Sequence, residues 1–289
     1  MFLGARGDTE KELSSVLNVQ GHGDSRIFAT KFRQLNSNMN ITLRSANAMF
    51  IEKTFDILPS HRQLIRKNFN STIVNVDFVG SSEKVRQEIN AWVEKRTENK
   101  IRNLLSPQSI SSSTRLALVN ALYMKTEWKS RFNPVETKRE QFFLHSGLTK
   151  DVRLMHQRSV FPYVFSKEFD ADIVELPFKG EVLSMMIFLP RDRGLSGMLR
   201  LESSLSAEVL KQVLKQLSKE EVKLSLPKFK VSSSINLKDI LKRLGVSKAF
   251  EERDADFSGI TGSKNLYISA ANQKVFLSNV LSLPHVLDC

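Results

Sequence analysis

Five histidines, one cysteine and a scatter of basic side chains are the residues of this 289-residue chain whose chemistry could amount to a site. An imidazole acts as a general base or a metal ligand when a carboxylate or a second ligand stands at a fixed offset from it. His22, His61, His145, His156 and His285 show no such offset from one another, and each reads as a surface or core-edge residue. The chain has no Gly-x-Ser-x-Gly elbow, no His-Glu-x-x-His and no phosphate-binding glycine loop. Cys289, the single cysteine, excludes an internal disulfide and a cysteine-based metal site. The expectation is a protein that is not an enzyme and takes no metal and no cofactor.

Charge is the stronger signal. There are 43 Lys and Arg against 31 Asp and Glu, a formal net charge of +12. Such an excess favours polyanions as partners, although the charges are spread rather than run together. Arg62 and Arg66 stand one helical turn apart with Lys67 beside them, a spacing that can follow a row of sulfates. Lys31 and Arg33 lie outside the apolar face of a neighbouring helical stretch, and Arg44 and Lys53 extend the patch. These residues predict a glycosaminoglycan site, with neither nucleic acid nor membrane as a partner. Arg6-Gly7-Asp8 spells an adhesion tripeptide, but two glycines around a turn, with Asp8 or Thr9 capping the next helix, account for it structurally. Asn40-Ile41-Thr42 and Asn70-Ser71-Thr72 are glycosylation sequons, which matter only on the secretory route.

The elements that must hold these residues follow from periodicity. Helical spacing predicts helices over 8–18, 25–35 and 59–68, and a long one over 81–105 that begins at a Ser82-centred cap. Alternation predicts strands over 41–52, with Leu43, Ala46, Ala48 and Phe50 on one face, and over 71–78. Short apolar runs at 115–123, 141–144, 152–155, 160–166, 172–178 and 183–189 predict extensive sheet. A helix over 205–217, strands over 222–226 and 229–233, and a helix over 237–244 stopped by Gly245 follow. Helices in the first half and strands in the second indicate an α+β fold. No apolar run approaches the roughly 20 residues that span a bilayer, and Met1 to Asp8 has no signal-peptide h-region.

Several ordered motifs resemble the serpin family. They are Leu3-Gly4-Ala5-Arg6-Gly7; Asn90-Ala91-Trp92-Val93 with Thr97 and Lys100-Ile101; Asn120-Ala121-Leu122-Tyr123-Met124-Lys125 with Trp128; Leu226-Pro227-Lys228-Phe229-Lys230; and Ala255-Asp256-Phe257-Ser258-Gly259-Ile260. The resemblance implies helices packed on large, mostly antiparallel sheets in a single domain over 1–276, incomplete at both termini, with 277–289 a divergent tail in place of the hinge and reactive loop. It implies a serine-protease inhibitor that traps its target by inserting a cleaved loop into the main sheet, with a serine protease as partner of an intact member. Inhibition is not expected of this form, and a polyanion-binding module is the alternative. Asn120 would hydrogen-bond in the shutter and Trp128 pack at the breach. Gln273 stands where the family has a histidine, next to the matching Lys274. An extracellular location is implied, with the cytoplasm left open.

Overall fold

The computed structural model describes residues 1–21, 23–24, 27, 29–30, 34, 41–69, 71–144 and 146–279. The predicted helix over 25–35, Lys31, Arg33, Asn40, Asn70 and the tail after Asn279 therefore lie outside the described residues, wholly or nearly so. In chain order the elements are α1 (Gly7–Leu17), β1 (Ile41–Glu52), α2 (Pro59–Phe69), β2 (Thr72–Val76), α3 (Phe78–Arg96), β3 (Leu116–Thr126) and β4 (Lys138–Phe143). There follow β5 (Thr149–Ser166), β6 (Ala171–Pro177), β7 (Ser184–Pro190), α4 (Leu195–Ser204), α5 (Ala207–Gln216) and β8 (Ser218–Pro227). The last are β9 (Lys230–Asn236), α6 (Leu237–Arg243), α7 (Ser258–Thr261) and β10 (Ala270–Asn279). The fold is α+β, and the chain forms two compact units, Met1–Met124 with Val231–Leu277 and a second built on Lys125–Lys230.

The first unit carries a five-stranded sheet in the order β2-β1-β3-β10-β9, with β1 and β2 parallel and Ala48 opposite Thr72. At β1 and β3 both faces of the sheet are buried, and β3 reads as a nearly continuous apolar run up to Met124. On one face Ala46, Ala48, Phe50, Ala117, Val119 and Ala121 meet Val85, Ile89 and Val93 of α3 and, from the segment after it, Ile101 and Leu105. On the other, Met49, Ile51, Leu116 and Ala271 join Leu3, Leu13 and Phe257. Leu43 is out of phase with Ala46, Ala48 and Phe50, so it cannot share their face as expected.

In the second unit β4-β5-β6-β7 form an antiparallel sheet, and β8 pairs with β5 along ten residues, from Leu154 opposite Pro227 to Tyr163 opposite Ser218. The two strands expected at 152–155 and 160–166 are one strand, β5. It pairs with β4 and β8 and then with β6 from Tyr163 onward, so Pro162 falls where the pairing changes hands.

Three helix boundaries also depart from expectation. The N-cap of α1 is Arg6, with no side-chain bond, while Thr9 is buried inside the helix and its hydroxyl accepts from Asp256 N–H at 3.0 Å. A kink at Ser81 (φ −150°, ψ 40°) divides α3: the long helix runs on from Ser82, and an extra turn from Phe78 precedes it, capped by Asp77, whose carboxylate accepts from Gly80 N–H at 2.8 Å. That helix stops at Arg96 rather than near 105, because Glu98 and Asn99 take left-handed angles, φ 53° and 60°. The helix α4 went unpredicted because its Ser and Gly content hides the period; a Cβ on Gly197 would sit 1.9 Å from the Asp192 carbonyl oxygen.

Candidate functional site

Three neighbouring strands of the first unit are joined by side-chain amides. Asn47 on β1, Asn120 on β3 and Gln273 on β10 share the sheet face that carries Met49, Leu116 and Ala271, since strand side chains alternate. Gln273 Nε2 donates to Asn120 Oδ1 at 2.8 Å, and Asn120 Nδ2 donates to Asn47 Oδ1. Each amide offers both a donor and an acceptor, and no member of the chain titrates. Lys274 Nζ donates to the Arg102 carbonyl at 2.8 Å, which ties β10 to the segment following α3.

Trp128, in the second unit, is 4% exposed; its ring stacks on Phe178 at 4.7 Å and meets Phe132 edge-on at 6.3 Å. Of the basic residues, Arg62 is engaged structurally: Nη1 donates to the Ile73 carbonyl at 2.7 Å and Nη2 to Asn75 Oδ1 at 2.9 Å, pinning α2 to β2. Arg66 and Lys67 are exposed on the last turn of α2. Arg44 pairs with Glu98 and Lys53 with Asp77, both at 2.8 Å, so each already has a carboxylate. Arg6-Gly7-Asp8 is exposed, but both of its charged side chains are engaged. Arg6 donates to the Ala5 carbonyl at 2.6 Å, and Asp8, which pairs with Lys11 and Lys248, is pulled down to about 2 by those two ammonium groups.

Sequence reasoning missed three polar residues. Asn47 carried a signal, a lone amide between alanines in an apolar run. Glu52, at the end of β1, is 1% exposed, and its Oε2 accepts from Phe78 N–H at 2.7 Å and Val79 N–H at 3.1 Å at the start of α3. Its Oε1 has no hydrogen-bond partner among the described residues. His156 bridges three strands: Nδ1 is 2.9 Å from Ser225 Oγ on β8, and Nε2 is 3.2 Å from Glu140 Oε1 on β4, an ion-pair distance at a poor hydrogen-bond angle. Ser, His and Glu in a row suggest a nucleophile, but they lie flat across one sheet face and serve as a cross-strand tie. Among the described residues no cluster of His, Cys, Asp or Glu could hold a metal ion, and no helix is long and apolar enough to cross a membrane. His61 on α2 is buried, and that burial, with the positive charges of the Met1 amine and then the Arg6 guanidinium adding to it, pushes its imidazole down to about 4.

Comparison with known proteins agrees with this geometry. The family model for serpins (serine protease inhibitors) matches residues 1–279. The chain is 37% identical over 283 residues to the bovine leukocyte elastase inhibitor, covering 95% of this chain and 74% of that protein. It is 38% identical over 276 residues to Ipis-1 of Ixodes persulcatus, covering 95% and 72%. Among solved structures, uncleaved ovalbumin superposes with a TM-score of 0.90 at 27% identity, over 99% of this chain and 78% of that one. Native protease nexin-1 with heparin superposes at 0.88 with 31% identity, over 100% and 80%. The chain belongs to the serpin family of serine protease inhibitors.

Proposed function

We propose that the sheet β2-β1-β3-β10-β9 is the acceptor of a loop-insertion protease inhibitor, and that the polypeptide of residues 1–289 by itself carries the acceptor without a working bait. What supports the reading is the amide chain Asn47–Asn120–Gln273. It fastens the β3–β10 seam with side-chain bonds that can part and re-form with an incoming strand. Residues 277–289 are rich in Leu and include Pro284, and they hold no run of small residues able to enter a sheet. Incubation with trypsin-like and chymotrypsin-like proteases should give no SDS-stable complex. A covalent band at the summed mass, lost when the protease serine is replaced, overturns the second half of the reading.

A polyanion-binding role is the second reading, in an extracellular setting that glycans on Asn40 or Asn70 would mark. Arg66 and Lys67, exposed on α2, favour it, as does the relative solved with heparin. Replacing Arg62, Arg66 and Lys67 by Ala should lower the salt at which the protein leaves heparin. If the folded triple variant elutes with the parent, α2 is only a solvated face.

A further inference from the structure

Like charges meet head-on in the second unit. The register of β4 and β5 sets Arg139 directly opposite Arg153. The register of β5 and β8, continued by Lys228 N–H donating to the Arg153 carbonyl at 2.8 Å, sets Lys228 opposite Arg153 on the other side. Directly opposed residues share a face, so three exposed cations stand side by side at steps of about 5 Å. Such an arrangement destabilises a sheet. Four other arginines of this unit are neutralised, Arg131 by Glu127, Arg158 by Glu221 and Arg200 by Asp192, each at 2.7 Å, and Arg191 by Asp172 at 3.8 Å. Arg139, Arg153 and Lys228 have no ion-pair partner among the described residues. The nearest acid on that face of β4 and β5, Asp151, lies opposite Gln141, roughly 6–7 Å along β5 from Arg153.

We propose that Arg139, Arg153 and Lys228 form a binding row for a sulfated polysaccharide, independent of α2. Each guanidinium can fork two oxygens of one sulfate, and the ammonium adds a point charge. The row is open, and a single exposed ion pair contributes little. Measurable affinity therefore needs a chain that brings several oxyanions and releases counterions. Nucleic acid also brings several. The row, however, lacks an adjacent stacking platform: Phe143, the exposed aromatic on that face of β4, is four residues from Arg139, about 13 Å away.

Heparin affinity measured against salt tests the row, with Arg139→Ala/Arg153→Ala/Lys228→Ala beside an equal-charge control, Arg193→Ala/Lys211→Ala/Lys215→Ala. The row variant should flatten the slope of log K against log salt by about three, one per lost contact, and the control by less than about one. Equal flattening in both means net charge alone acts, and the proposal fails; it fails as well if the parent binds a single-stranded oligonucleotide of matched length more tightly than heparin. Arg153→Gln alone provides a readout free of ligand and safe for the fold. Removing the middle of three repelling charges should raise the low-salt Tm, and an unchanged or lower Tm shows that the charges are already compensated and overturns the site.

Discussion

Replacing Glu52 tests how the helix α3 is fixed to the sheet. The carboxylate is 1% exposed, and one oxygen holds the amides of Phe78 and Val79, the turn that leads through the Ser81 kink into the long helix. Glu52→Ala strands the buried Phe78 N–H and the part-buried Val79 N–H, at about 1–3 kcal/mol each with Val79 at the lower end. Against that, the change removes Oε1, a buried oxygen without a partner, and with it a desolvation cost. The net loss expected is about 2–4 kcal/mol, or about 5–15 °C in Tm for a unit of this size. Glu52→Gln keeps an acceptor but puts an amide donor where Oε1 stood, so it should lose less than Ala. Urea unfolding followed by circular dichroism gives the energy, and hydrogen exchange at Phe78 and Val79 gives the location. A loss below about 0.5 kcal/mol, with those amides exchanging as in the parent, would refute the capping argument.

His61 makes the first unit acid-sensitive. Its folded imidazole titrates near 4 against an ordinary 6.5, so between those values the unfolded chain binds more protons and stability falls as pH falls. The contribution is complete above about pH 6.5 and is lost toward pH 4, of order 3 kcal/mol in all. His61→Gln should flatten the acid limb of a Tm-against-pH curve, and an unchanged limb would assign the acid sensitivity to other groups. Asn120→Ala breaks both links of the amide chain at once and should cost about 1–3 kcal/mol. Faster exchange at β10 backbone amides should accompany the loss; if exchange there is unchanged, the amides do not hold the seam.

Much of this architecture was legible from periodicity, and its errors have definite causes. The bounds of β1 follow from alternation, those of α2 from its helical spacing, and the end of α6 from Gly245. The overrun of α3 past Arg96 came from apolar Ile101 and Leu104, which keep a helical spacing while the backbone turns through left-handed Glu98 and Asn99. The splitting of β5 came from Pro162, which ends a strand on one-dimensional evidence and here marks a change of partners. Asn120, Gln273 and Lys274 were found through the family motifs. Asn47 and Glu52 were not, because a polar residue in an apolar strand acquires meaning only when its neighbour across the sheet is known. The opposed pair Arg139 and Arg153 is likewise a fact of register, invisible along the chain.

The seam between β3 and β10 also bears on how the chain is made. Gln273 reaches Asn120 across 153 positions of sequence, and at about 5–20 residues per second a ribosome needs roughly 8–30 s to deliver one after the other. Through that interval the edge of β3 has β1 on one side and nothing on the other, and an unpaired edge can recruit a strand from another nascent chain. β5 waits in the same way for β8, whose Pro227 lies 73 positions beyond its partner Leu154. Both sheets are completed by long-range closure, the slow step in folding. The period of greatest exposure to misassembly therefore falls during translation, before the last strand has left the ribosome.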